Sequence, residues 1–158
     1  MAAAGEIVLA TEITAASTRI VATPVTTSTA GNTSNSTTDV RDAQLGNYVC
    51  TTVTGHTYRV WWTGKVSSTV SNDDLVSITV RDGGGSTPTA ASTSVASASR
   101  FVSELGGPGQ ETLQVINLWA PTAGTHTLSA FIARSSSGSG TVTPVGFREL
   151  YVEDMGIV

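Results

Sequence analysis

Serines, two histidines and six aspartates give this chain the raw material of a hydrolytic triad, in which a nucleophile, a base and an orienting acid meet. With 19 serines and 26 threonines in 158 residues, the presence of all three types carries little information. No G-x-S-x-G elbow occurs, and His56 and His126 both stand in the pattern Gly-(Thr)-His-Thr ahead of an apolar run. A turn-to-strand role there is simpler than general-base catalysis. Cys50 lies in Y-V-C-T-T-V, the setting of a small buried thiol rather than a nucleophile. The expectation is a protein that is not an enzyme.

Other chemistries fare no better. Asn72, Asp73, Asp74 and Asp82 could offer oxygens to calcium, but the alternation of an EF-hand loop is missing, and N-D-D and R-D-G-G are ordinary turn sequences. The glycines at 83–85 lack the lysine and helix of a phosphate cradle. Glu149 and Glu153 share a strand face with Tyr151, where solvated charges explain them without a glycosidase pair. No metal and no cofactor is expected. The Asn32 and Asn35 sequons matter only for a secreted eukaryotic protein.

The aromatic residues leave one chemistry open. In G-H-T-Y-R-V-W-W-T-G-K-V (55–66) strand alternation puts Tyr58, Val60 and Trp62 on one face and Arg59, Trp61 and Thr63 on the other. Trp62 is expected in the core. Trp61, with Arg59 beside it and Tyr151 on a neighbouring strand, could stack on a sugar or be covered by another chain or an arm. Tryptophan, tyrosine and arginine are enriched in interface hot spots, which favours the protein contact.

The elements that would position these residues are strands. The runs 47–53, 56–66, 74–82, 111–120, 126–134 and 146–154 are short, rich in β-branched or aromatic residues, and separated by Gly, Pro, Asn or Asp. Six or more such runs without a convincing helix predict an all-β, antiparallel β-sandwich of jelly-roll-like type. In 111–120, Leu113, Val115 and Trp119 fall on one face while Ile116 and Leu118 fall on the other, so that strand is either central or covered from outside its own sandwich. Segment 90–105 fits a helix or an edge strand equally well.

Residues 1–44 differ from the rest. An apolar start containing Ile7 and Leu9, a strand-like piece and the tract T-T-S-T-A-G-N-T-S-N-S-T-T-D read as an extended N-terminal arm used for docking or assembly, followed by the sandwich at 45–158. Residues 6–16 favour a strand or arm over a short helix because of their β-branched content. There is also an echo, V-T-G-H-T-Y-R-V at 53–60 and T-A-G-T-H-T-L-S-A at 122–130, which reads as one structural solution used twice.

Composition narrows the partners. A net charge of −4 with seven scattered arginines and one lysine offers no basic stripe for nucleic acid. No run approaches the roughly 20 apolar residues of a membrane span, so no membrane partner is expected. One cysteine makes no intrachain disulfide, so stability must come from packing or association. No secretory signal is visible at the N-terminus, which predicts synthesis in a cytoplasm.

The ordered motifs G-H-T-Y-R-V-W-W-T-G-K-V, V-S-I-T-V-R-D-G-G-G-S, A-G-T-H-T-L-S-A-F-I-A-R and E-L-Y-V-E-D-M-G, spread over about residues 45–156, resemble those of small virion structural proteins of tailed phages that infect actinobacteria. The resemblance implies a β-sandwich minor tail protein or capsid decoration protein, made in the host bacterial cytoplasm and located in the virion. It implies no catalytic residues. The chain lacks a collagen-like Gly-X-Y neck, so docking on a shell or tail is expected rather than a long fibre. Identical subunits in a homotrimer and other virion proteins are the expected partners. Trp61, Arg59, Ile116, Leu118 and Tyr151 are the candidate contact residues, with Ile7 and Leu9 in the arm. The alternative is a carbohydrate-binding module that takes host glycans on its exposed aromatics.

Overall fold

Residue parity builds the two sheets. The computed structural model describes residues 20–69, 74–102, 110–134 and 140–157. They form β1 (Val25–Thr27), β2 (Val40–Arg41), β3 (Tyr48–Thr52), β4 (Tyr58–Ser68), β5 (Asp74–Asp82), β6 (Thr93–Val102), β7 (Gln110–Trp119), β8 (Gly124–Arg134) and β9 (Val142–Asp154). One sheet runs β1-β9-β4-β7 and the other β2-β8-β5-β6, with β3 also paired to β8. Every pairing is antiparallel. The result is the expected antiparallel β-sandwich.

Alternate residues of each long strand meet between the sheets. Tyr58, Val60, Trp62 and Val66 of β4 and Leu150 and Val152 of β9 face Val76, Ile78 and Val80 of β5 and Leu128 and Ile132 of β8, all buried. Burying a side chain of this size contributes about 1.5–3 kcal/mol. Segment 90–105 resolves into a strand over 93–102, since its alternating small residues pair along β5 and bury Val95, Ala96 and Val102. β7 is not central: it pairs only with β4 and ends the first sheet. The Asn117 side chain donates to the Val95 carbonyl at 2.8 Å and joins β7 to β6 across that edge.

The expected boundary at residue 44 is corrected. Ile20 bridges Glu153 and Ser34 bridges Val142, while β1 lies on β9 and β2 on β8. The Ala22 N–H donates to the Tyr48 hydroxyl at 2.8 Å. Residues 20–44 therefore belong to the sandwich. Their small polar side chains contribute little apolar burial, yet their backbone groups pair as well as any others. The part of the proposed arm that holds Ile7 and Leu9 lies outside the described residues.

One charged side chain sits in this interior. Arg148 shares its inward parity with Leu150 and Val152 and is fully buried. Its Nε donates to Asp42 Oδ2 at 2.8 Å, Nη2 to the Thr29 carbonyl at 2.7 Å and Nη1 to the Gly146 carbonyl at 3.0 Å. Asp42, also buried, accepts from the Leu45 N–H at 3.3 Å. The β4–β9 register shifts between Thr63 and Lys65, and a Cβ on Gly64 would stand 2.6 Å from Arg148 Cγ. Glycine is therefore required where the arginine stem crosses β4.

Removing one partner of a buried pair leaves the other charge uncompensated. Arg148→Ala is expected to lower stability by about 3–5 kcal/mol in urea denaturation. The double variant Asp42→Ala/Arg148→Met is expected to lose less than the sum of the two single losses, because the residues share one interaction.

Candidate functional site

The outer face of the four-stranded sheet carries the residues singled out from the sequence. Register sets them in rows across the strands. Leu118, Arg59, Glu153 and Ile20 form the first row, and Ile116, Trp61 and Tyr151 the second. Gln114, Thr63, Glu149 and Thr26 form the third. The sandwich thus brings Trp61, Arg59, Ile116, Leu118 and Tyr151 onto one surface.

The centre of this surface is ordered by its own contacts. Trp61 and Tyr151 lie nearly parallel, 13° apart with ring centroids at 5.9 Å. The Arg59 guanidinium carbon sits 5.2 Å from the Trp61 ring centroid. Arg59 Nε donates to Glu153 Oε2 at 2.7 Å, and the Trp61 indole N–H donates to the same oxygen at 3.1 Å. Trp61 is half-buried within the single chain, since Arg59 and Tyr151 already cover part of it. Burial pushes the Tyr151 hydroxyl pKa up, Glu153 and Glu149 push it the same way, and Arg59 acts against them. Ile116 at 46%, Leu118 at 60% and Ile20 at 48% remain exposed in these rows, and Phe147 of β9 is exposed as well.

The other sheet's outer face is covered by its own chain over β8. Phe131, Ala133 and Ser129 of β8 are buried there. The Arg81 guanidinium carbon lies 5.9 Å from the Phe131 ring centroid, and Arg81 bonds Asp39 at 2.7 Å and the Ser92 carbonyl at 2.7 Å. Ser129 donates to Asn47 Oδ1 at 2.6 Å, and Asn47 donates to Thr87 at 3.3 Å. Exposed apolar residues remain on both sheets: Ile116 and Leu118 on one, Val49 of β3 and Phe101 of β6 on the other.

The two histidines of the sequence echo occupy matching positions. His56 Nδ1 lies 2.9 Å from Asp154 Oδ2, and His126 Nδ1 lies 2.7 Å from Asp82 Oδ2. Each aspartate also accepts from the glycine two residues on, Gly156 at 2.7 Å and Gly84 at 2.8 Å. Backbone bonds repeat as well: Thr57 exchanges bonds with Met155 and Gly156, as Thr127 does with Gly83 and Gly84. A D-x-G strand end thus clasps an H-T strand start once in each sheet. Gly84 and Gly156 turn the chain at φ of 61° and 78°, a region open to glycine at no steric cost.

Cys50, His126 and Asp82 meet near one of these clasps without forming a nucleophile. His126 Nε2 faces the Thr122 carbonyl at 3.0 Å rather than the thiol. Burial, with a smaller push from Asp82, raises the Cys50 pKa to about 11. No group of three or more metal-ligating side chains occurs among the described residues.

No family model and no curated protein matches this chain. Among solved structures, the insecticidal delta-endotoxin Cry8Ea1 of Bacillus thuringiensis is similar at 17% identity and a TM-score of 0.43. The similarity covers 76% of this chain and 19% of the toxin.

Sequence parity located the face but not its organisation. Glu153 as the shared acceptor, and Ile20 as the end of the first row, depend on pairing between distant segments. The D-x-G and H-T signals stood in the sequence, though nothing in them says which aspartate meets which histidine. Cys50 is expected to stay unmodified by a thiol reagent at about pH 8 in the native protein and to react fully once urea unfolds it, as measured by absorbance of the released reporter.

Proposed function

We propose that this chain is a non-enzymatic structural protein of a phage virion, a minor tail or capsid decoration protein that assembles with identical copies as a homotrimer. The observation that carries the association is the outer face built from Trp61, Tyr151, Ile116 and Leu118, where an ordered charge-aromatic cluster stands beside exposed aliphatic side chains. Charge supports identical copies as partners. The chain carries a net −4, whereas this face balances Arg59 and Lys65 against Glu149 and Glu153, so like copies are not repelled there. The virion setting comes from the motif resemblance. The jelly-roll reading is supported by two antiparallel sheets with β9 and β4 central in one and β8 and β5 in the other. In this reading the segment before Ile20, with Ile7 and Leu9, docks on other virion proteins.

A host glycan is the second reading, favoured by the parallel Trp61–Tyr151 pair with Arg59 and Glu153 beside it. It ranks lower because the Trp61 indole already has a guanidinium and a phenol ring against it and its N–H is bonded to Glu153.

Light scattering of the full chain at micromolar concentration is expected to give a trimer, and Ile116→Asp/Leu118→Asp a folded monomer. Mass spectrometry of purified phage particles is expected to detect the chain. A stable wild-type monomer sinks the self-association. Glycan-array binding that is abolished by Trp61→Ala without loss of stability transfers the site to the second reading.

A further inference from the structure

The bulge in β9 lifts one aromatic side chain out of the sheet. β4 pairs Thr63 with Glu149 and resumes at Lys65 with Val145, so residues 146–148 stand opposite Gly64 alone. On the other side of β9, the pairing of β1 ends with Thr27 opposite Arg148. Neither strand pairs with Phe147, and its side chain is 60% exposed. Left in water, a phenylalanine forgoes the roughly 1.5–3 kcal/mol that burial would supply.

The bulge is held from inside the sandwich. Gly146 takes a φ of 63°, its carbonyl accepts from Arg148 Nη1 at 3.0 Å, and Arg148 is itself anchored on Asp42 and the Thr29 carbonyl. Just before the bulge, the Pro144 carbonyl accepts from the Gly31 N–H at 2.8 Å. A bulge re-aims side chains, and this one, fixed at 146 and 148, aims the residue between them outward. Phe147 thus shares the outward parity of Val145, Glu149 and Tyr151 and stands on the same face as Trp61.

Opposite charges flank it. Lys65, exposed on β4, runs beside the bulge, since a Cβ on Gly146 would stand 3.7 Å from its Cδ. Glu149 lies two residues beyond Phe147, in the row of Thr63 and Thr26. Arg59 and Glu153 on this face are bonded to each other. Lys65 and Glu149 enter no ion pair among the described residues.

We propose that Phe147 anchors the contact between identical copies, buried against the outer face of the neighbouring copy, with Lys65 of one copy paired to Glu149 of the next. The inference rests on the self-association proposed above and names the residues that fix it. Charge selects a second copy as the occupant. A free cation and a free anion on either side of an exposed aromatic complement the same arrangement on another copy, and in a closed ring every copy supplies one of each to its neighbours. The net charge of −4 disfavours an anionic lipid surface, another apolar partner that such a knob would suit.

The test is analytical ultracentrifugation of the full chain and its variants at micromolar concentration, with circular dichroism to follow folding. Phe147→Ala is expected to stay folded and to raise the dissociation constant about thirtyfold or more. Lys65→Glu and Glu149→Lys are each expected to raise it about tenfold, and the double variant Lys65→Glu/Glu149→Lys to restore it. Wild-type affinity in Phe147→Ala overturns the inference while the self-association stands, and so does a double variant as weak as the single ones. A monomeric wild-type chain sinks both. Unchanged association with loss of glycan-array binding in Phe147→Ala gives the aromatic to a sugar and overturns the inference as well. Should Phe147→Ala fail to fold, the charge exchange decides alone.

Discussion

A charge buried between two sheets must be met in full, and the Arg148–Asp42 pair imposes that condition on a large part of this sandwich. Arg148 hangs from β9, and its partners come from the segment between β1 and β3: Asp42 and the Thr29 carbonyl. An unpaired ion there would cost several kcal/mol, so the Ser/Thr-rich stretch cannot drift from the body of the molecule. The pair explains two glycines. Gly64 leaves room for the arginine stem, and Gly31 approaches so closely that a Cβ would stand 2.5 Å from Asp42 Oδ1. Strand alternation turns Arg148 inward with Leu150 and Val152, while Glu149, next to it, stays on the outer face.

That inner condition contrasts with the freedom of the outer surfaces. A chain with one lysine and few carboxylates has little charge with which to coat a sheet. One outer face is closed over β8 by loops and Arg81, with Val49 and Phe101 exposed on its other strands. The other relies on a compact charge-aromatic cluster around Glu153, which receives both Arg59 and the Trp61 indole, and leaves the aliphatic residues of β7 uncovered. Such a face holds its central side chains in place by their own contacts.

Several expectations were decided by signals of different strength. Alternation in β4 placed Trp62 inward and Trp61 outward, and both stand so, because a strand has only two faces. β6 was open between helix and strand: its small side chains satisfy either period, and only the free edge of β5 selects the strand. Residues 20–44 have the weak side-chain hydrophobicity of an arm, whereas backbone pairing with β9 and β8 holds them. Arg148 had the inward parity of Leu150 and Val152, but an arginine on a core face is credible only once its carboxylate is known.

The sequence by itself determined what is local: six strand runs, their inward and outward residues, the turn at R-D-G-G, and the collection of Trp61, Arg59, Tyr151, Ile116 and Leu118 on outward positions. Tertiary structure alone decided which strands are neighbours. That choice made one face of three separate segments, matched each histidine to its aspartate, and gave Arg148 a partner 106 residues away. Parity is written in consecutive residues, while pairing across a sandwich is a choice among distant segments whose local signals are alike.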